Sequence, residues 1–234
     1  MVLETHTTPS NVNNLLLPLD FDVVTYDSIN LITSKHVNIN TWKHFAGGWN
    51  GVSLRFMSCC ESGELYKSRY NDFYNADSYY FLERNLFNFF VSGLSTLECF
   101  CYSLYAIGAL IDPVNFPMIP ASLKRIDLEN VKKLFNKHFQ STLCQKLTSL
   151  ATEATYLDWV KIRNILIHRV VPGRMLYLSN QLKYSKPQEW MLDDHDHDRM
   201  VLDANLTISN RAWLSDTVNS LMHETESFVK IHIP

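Results

Sequence analysis

Residues Leu86–Ile111 read LFNFFVSGLSTLECFCYSLYAIGALI, and this run decides the fold. Apolar side chains fall on every side of a helical wheel rather than along one stripe, which is the pattern of a helix buried all round. A bilayer span is the competing use of so apolar a run, and it needs about 20 residues with few polar interruptions. Here Asn88, Ser92, Ser95, Thr96, Glu98 and Ser103 interrupt it. The expectation is therefore the central helix of a bundle, with no membrane span. Glu98 is the only acid between Arg84 and Ile111, and a lone carboxylate in such surroundings needs a cation.

Working outward, Tyr70, Phe73, Tyr74, Tyr79, Tyr80, Phe81, Phe87, Phe89 and Phe90 precede or open this run, near Lys67, Arg69 and Arg84. Aromatics beside cations can stack bases, but helix aromatics more simply fill a core. Further upstream, Asn40 or Thr41 is expected to cap a helix through Trp42, Phe45 and Trp49, weakened at Gly47-Gly48. Val52–Cys60 reads as helical and broken near Ser62-Gly63. Residues 1–38 are polar and read as a loosely attached arm, with strand-like pieces at Asp20–Tyr26 and Ile29–Thr33.

Downstream, Asp112-Pro113 ends the central helix, and Pro117 and Pro120 keep the next stretch a loop. Helices are expected from Asp127 to about Gln140, from Ser141 to about Leu150, and from Thr152 or Thr155 to Val171. Pro172-Gly173 stops the last of these. Residues 172–209 read as an irregular insertion, partly extended at Met175–Leu178 and Met200–Leu202. A final helix, about Asn210–His232, carries Trp213, Val218, Leu221, Met222 and Phe228 at helical spacing. The fold class is all-α: a bundle of four to five main helices over residues 39–234, with an N-terminal arm and an insertion before the last helix.

The helix Trp159–Arg169 is unusual. At about 100° per residue, Trp159, Val160, Ile162, Leu166, Ile167 and Val170 cover one arc, with Arg163 near its middle. Asp158, Lys161, Asn164 and His168 take the opposite side. A guanidinium aimed into packing needs an anion or a water-filled cleft. Glu98 is the expected partner, within salt-bridge range, where it would position the arginine.

Arg163-Asn164, three residues, then His168 and Arg169, on a late helix of an all-helical chain, resemble the active-site motif of the HEPN superfamily. The resemblance covers roughly Thr41–Val171 and the last helix, not the arm or the insertion. It implies a helical domain, commonly dimeric, that cleaves RNA without a metal or cofactor at a cleft shared by two protomers, often as a toxin or in defence. It makes His168 the general acid/base, Arg163 the phosphate and transition-state contact and Asn164 their support; Glu98, Lys161 and Arg169 are the expected supporting residues around them. The residue types suit the task. Imidazole exchanges protons near neutrality, and guanidinium offers a planar fork of donors to phosphate oxygens. The implied partners are RNA or a nucleotide, a second copy of the chain, and an antitoxin or other protein. The alternative is a non-catalytic module that binds a nucleotide or RNA in the same cleft.

Composition narrows this further. The chain has 234 residues and a formal charge of −3, so it lacks the global basic field of a nonspecific nucleic-acid binder. RNA contact is expected at a local basic cleft of Lys161, Arg163, Arg169 and Arg174. Five cysteines (Cys59, Cys60, Cys99, Cys101, Cys144) fit neither a disulfide framework nor a zinc pattern, and point to a reducing cytoplasm. The N-terminus carries no visible signal peptide. Asp193–Asp198, with His195 and His197, holds ligand types for a divalent ion, but a short acidic run in an irregular segment reads first as a solvated turn. No Gly-rich phosphate loop, zinc-protease helix or nucleophile elbow is present.

Overall fold

The computed structural model describes residues 17–35, 38–71, 76–168, 173–178, 186–191 and 199–233. In chain order these form α1 (Val23–Ser34), α2 (Ile39–Arg69), α3 (Ala76–Ile111), the single turn α4 (Pro120–Leu123), α5 (Leu128–His138), α6 (Thr142–Thr152) and α7 (Ala154–His168). Three short strands follow, β1 (Gly173–Met175), β2 (Glu189–Met191) and β3 (Arg199–Val201), then α8 (Ala204–His232). Helix makes up 77% of the described residues, which fixes the class as mainly α. Side chains of Asp22, Asn38, Asp127, Ser141 and Asp203 each accept a backbone N–H of the following first turn. Those contacts satisfy donors that a helix start leaves orphaned.

The frame is an antiparallel pair, α2 against α3. His44 meets Tyr102, Gly48 meets Ser103, Ser58 meets Ser92 and Gly63 meets Phe89. The break expected near Ser62-Gly63 does not occur, and the helix runs through Gly47-Gly48 as well; α2 is continuous over 31 residues. A Cβ on Gly48 would lie 2.6 Å from Ser103 Oγ, and one on Gly51 2.7 Å from Cys99 Sγ. These two glycines therefore let the helices close up, and that packing offsets a helix-propensity cost of about 1 kcal/mol each. By length and composition α3 could cross a membrane, yet 72% of its most apolar window is buried inside the protein. It is the central helix, covered by α2, α5, α7 and α8.

α1 corrects the strand-like reading of Asp20–Tyr26 and Ile29–Thr33. From Val23 onward these residues are helical, with Asp22 as the cap, and Tyr26 and Ile29 are fully buried. Tyr26 stacks on Trp49 with ring centroids 4.8 Å apart. Its hydroxyl donates to the Trp49 carbonyl, while Trp49 Nε1 donates to the Tyr26 carbonyl. Tertiary packing overrides the β preference of Val23, Val24, Thr25, Ile29, Ile32 and Thr33. Within the stretch read as an arm, residues 17–35 are thus packed on the bundle, and residues 1–16 lie outside the described residues.

The expected insertion contains a three-stranded antiparallel sheet in the order β1-β2-β3, with Gly173 opposite Met191 and Glu189 opposite Val201. α8 begins at Ala204, ahead of the expected Asn210.

Candidate functional site

α7 is pinned before it reaches the motif. The Cζ3–Cη2 edge of the Trp159 ring abuts Gly93 of α3, where an added Cβ would sit 1.7 Å from Cζ3. Phe89, Phe90 and Trp213 surround the ring. Its Nε1 donates to Asn210 Oδ1, and one turn along α8 Trp213 Nε1 donates to Glu153 just ahead of α7. Both ends of this first stretch are therefore fixed by α8, and Arg163 follows one turn after Trp159.

Arg163 Nη2 donates to Glu98 Oε1, the pairing the sequence predicts. Its place on the helix differs from the expectation. The buried stripe of α7 runs through Trp159, Ile162 and Ile165, while Ile167 is 44% exposed. Centred on Ile162, that stripe leaves Arg163 at its margin rather than its middle. Asn164, expected on the opposite side, shares a wall with Arg163. The two residues line a cavity of about 260 Å³ between α3, α5 and α7, together with Leu94, Glu98, Asp127 and Glu129.

The carboxylates of this cavity are all engaged. Asp127 caps α5 through the Asn130 N–H at 2.8 Å, and Glu129 accepts from Lys132 at 2.7 Å. At the cavity wall, burial first and then electrostatic repulsion from its acidic neighbours Cys101, Glu98, Asp127 and Glu129 push the Tyr156 phenol up to about 12. Burial likewise pushes the Cys101 thiol up to about 12. Both groups stay protonated at neutral pH and offer donors rather than nucleophiles. The lining sets the Arg163–Asn164 pair beside three exposed carboxylates, Glu98, Asp127 and Glu129.

The remaining motif positions are distributed as follows. His168 is the last residue of α7, one turn beyond Asn164. Lys161 is exposed on α7. Arg169 and the Asp193–Asp198 run lie outside the described residues. Arg174 does not join an open basic cleft. Its side chain is 3% exposed, ion-paired to Glu83 of α3, and donates to Gln188 Oε1 at 2.8 Å. Burial holds the Glu83 carboxyl above its usual range, and Arg174 offsets only part of that rise. Sequence reasoning missed Asp127 and Glu129 as residues that line the Arg163 cavity, because nothing local in α5 says that its first turn faces α7 across it. All five cysteines are free thiols.

No family model matches the chain, and neither a curated protein nor a solved structure matches it.

Proposed function

We propose that the chain is a HEPN-type endoribonuclease that works without a metal, in the cytoplasm, at a cleft between two protomers, as a toxin or defence effector. The observation that carries this reading is the Arg163–Asn164 pair on one cavity wall, with Glu98 holding the guanidinium and His168 one turn further along α7. A phosphodiester lies at the edge of the cavity where Asn164 is exposed, beside the Arg163 guanidinium. There His168 takes the proton of the 2′-hydroxyl, and the 2′-oxygen attacks phosphorus. Arg163 stabilises the charge that develops on the non-bridging oxygens. The bond to the 5′-oxygen breaks, that oxygen takes up a proton, and a 2′,3′-cyclic phosphate remains.

The test is incubation of the purified protein with total or transfer RNA in EDTA. Cleavage that disappears in His168→Ala and in Arg163→Ala supports the reading. The engagement of Arg163 by Glu98 favours a second reading, a module that binds RNA or a nucleotide without turnover. Retained binding by a protein that never cleaves would establish that module and end the first reading.

A further inference from the structure

Across the first turn of α5 from the Arg163 cavity lies a second cavity, of about 350 Å³. That volume is within the range of ligand pockets, roughly 300–1,000 Å³. The two are neighbours by construction. Asp127 and Glu129 face the first, while Arg125, Ile126 and Asn130 face the second. On α3, Cys101 and Tyr105, one turn apart, line one each.

Charge separates them. The first gathers three carboxylates round one arginine, whereas Arg125 and Lys133 line the second and, among the described residues, no carboxylate does. In a chain of net charge −3, residues 124–137 hold five cations against two carboxylates. Of those cations only Lys132 has an acid within salt-bridge range; Lys124, Arg125, Lys133 and Lys137 have none among the described residues. The walls are also fixed in advance. Asn130 Nδ2 donates to the Arg125 carbonyl at 2.8 Å and to Asp127 at 3.0 Å, which sets the loop that presents Arg125. The Tyr105 hydroxyl donates to the Pro117 carbonyl at 3.1 Å on the far side.

We propose that this second cavity seats a backbone phosphate of a single RNA strand, on one side of the bond held at Arg163–Asn164. The identity of the strand rests on the ribonuclease reading; the phosphate site itself does not. Arginine supplies the planar fork for phosphate oxygens and lysine a mobile point charge. A groove of unpaired cations that tracks a backbone is how single strands are held without sequence readout.

The experiment titrates the full chain with a labelled oligoribonucleotide whose 2′-hydroxyls are methylated, so that it cannot be cut, over a series of salt concentrations. Arg125→Ala/Lys133→Ala should weaken binding at least about tenfold, since two charge-assisted contacts are lost. The loss should be alike for unrelated sequences. The slope of log affinity against log salt should fall by about 1.4, two contacts at roughly 0.7 each for a single strand. Lys35→Ala/Lys43→Ala, which alters two exposed lysines elsewhere, should leave both quantities as they are. Both sites are on the surface, so matched circular dichroism is expected for each variant. Unchanged affinity and slope in the Arg125/Lys133 variant would overturn the proposal, as would a mononucleotide that binds as tightly as the strand. If unmodified RNA is never cut but the dependence on Arg125 and Lys133 holds, the phosphate site stands and the catalytic reading falls. Cleavage with undiminished strand binding by the double variant gives the reverse.

Discussion

Arg163 keeps 23% of its side chain in contact with solvent, and its partner Glu98 keeps 48%. A pair so open to water contributes little to folding, about 1 kcal/mol at most. Its consequence is orientation: the guanidinium is held against α3, beside Asn164, instead of sweeping through solvent. Glu98→Gln should therefore change stability by less than about 1 kcal/mol while lowering kcat on RNA by roughly 10- to 100-fold through misplacement. Urea unfolding beside single-turnover cleavage separates the two effects, and full activity in that variant would remove the positioning role. Gly93 is the other residue on which the motif depends. Gly93→Ala forces the Trp159 ring off α3, an overpacking cost of about 1–3 kcal/mol. A lower Tm and a shifted tryptophan emission should report it; an unchanged spectrum would mean that the ring is not held there.

At the scale of elements, β1 is fastened to α3 by Arg174 and Glu83, both largely buried. Removing one member of a buried pair strands the other charge at a cost of about 3–5 kcal/mol, whereas replacing both by apolar groups is often neutral. Arg174→Met should thus destabilise strongly, and Glu83→Leu/Arg174→Met should recover most of the loss in denaturant unfolding. A double variant no more stable than the single one would contradict this. Elements also differ in how far they could be read from sequence. α3 was legible because it is apolar all round, and the Arg163–Glu98 pair because each ion is isolated among apolar neighbours. α1 was not, because its β-branched residues mimic a strand and its holding contacts come from α8, 198 residues away in the case of Thr25 and His223. The continuity of α2 was hidden for a different reason: its glycines are explained by the approach of α3, which no local pattern records. The carboxylates round Arg163 were hidden because they arrive on α5.

Over the whole molecule, a polar stripe on α8 clamps the N-terminal segment to the bundle. Arg211 pairs with Asp20, Asn219 accepts the Asp22 N–H, His223 meets Asp22, and Glu226 accepts from Ser28. Burial raises the Asp22 carboxyl, but hydrogen bonds from Thr25 and the charge of His223 outweigh it and leave it below its usual value. Hydrogen bonds from Lys230 and Ser28 hold Glu226 low as well. Carboxylates depressed in the folded state stabilise fully above their unfolded pKa, near about 4, and lose that contribution as pH falls through the lower folded values. Asp22→Asn, which keeps a capping side chain but not the charge, should flatten the acid limb of stability in urea unfolding between about pH 2 and 5; an equally steep limb would exclude Asp22 as a source. The same whole-molecule view frames the catalytic proposal. With a net charge of −3, that proposal requires RNA to be held by local groups on α5 and α7 rather than by an overall field. Analysis of the ends of a cleaved oligoribonucleotide in EDTA tests that proposal most directly, because it reports which oxygen attacked phosphorus. The account predicts a 2′,3′-cyclic phosphate and a 5′-hydroxyl, both lost in Arg163→Ala and His168→Ala; a 5′-phosphate product, or the same ends at the same rate from either variant, would contradict it.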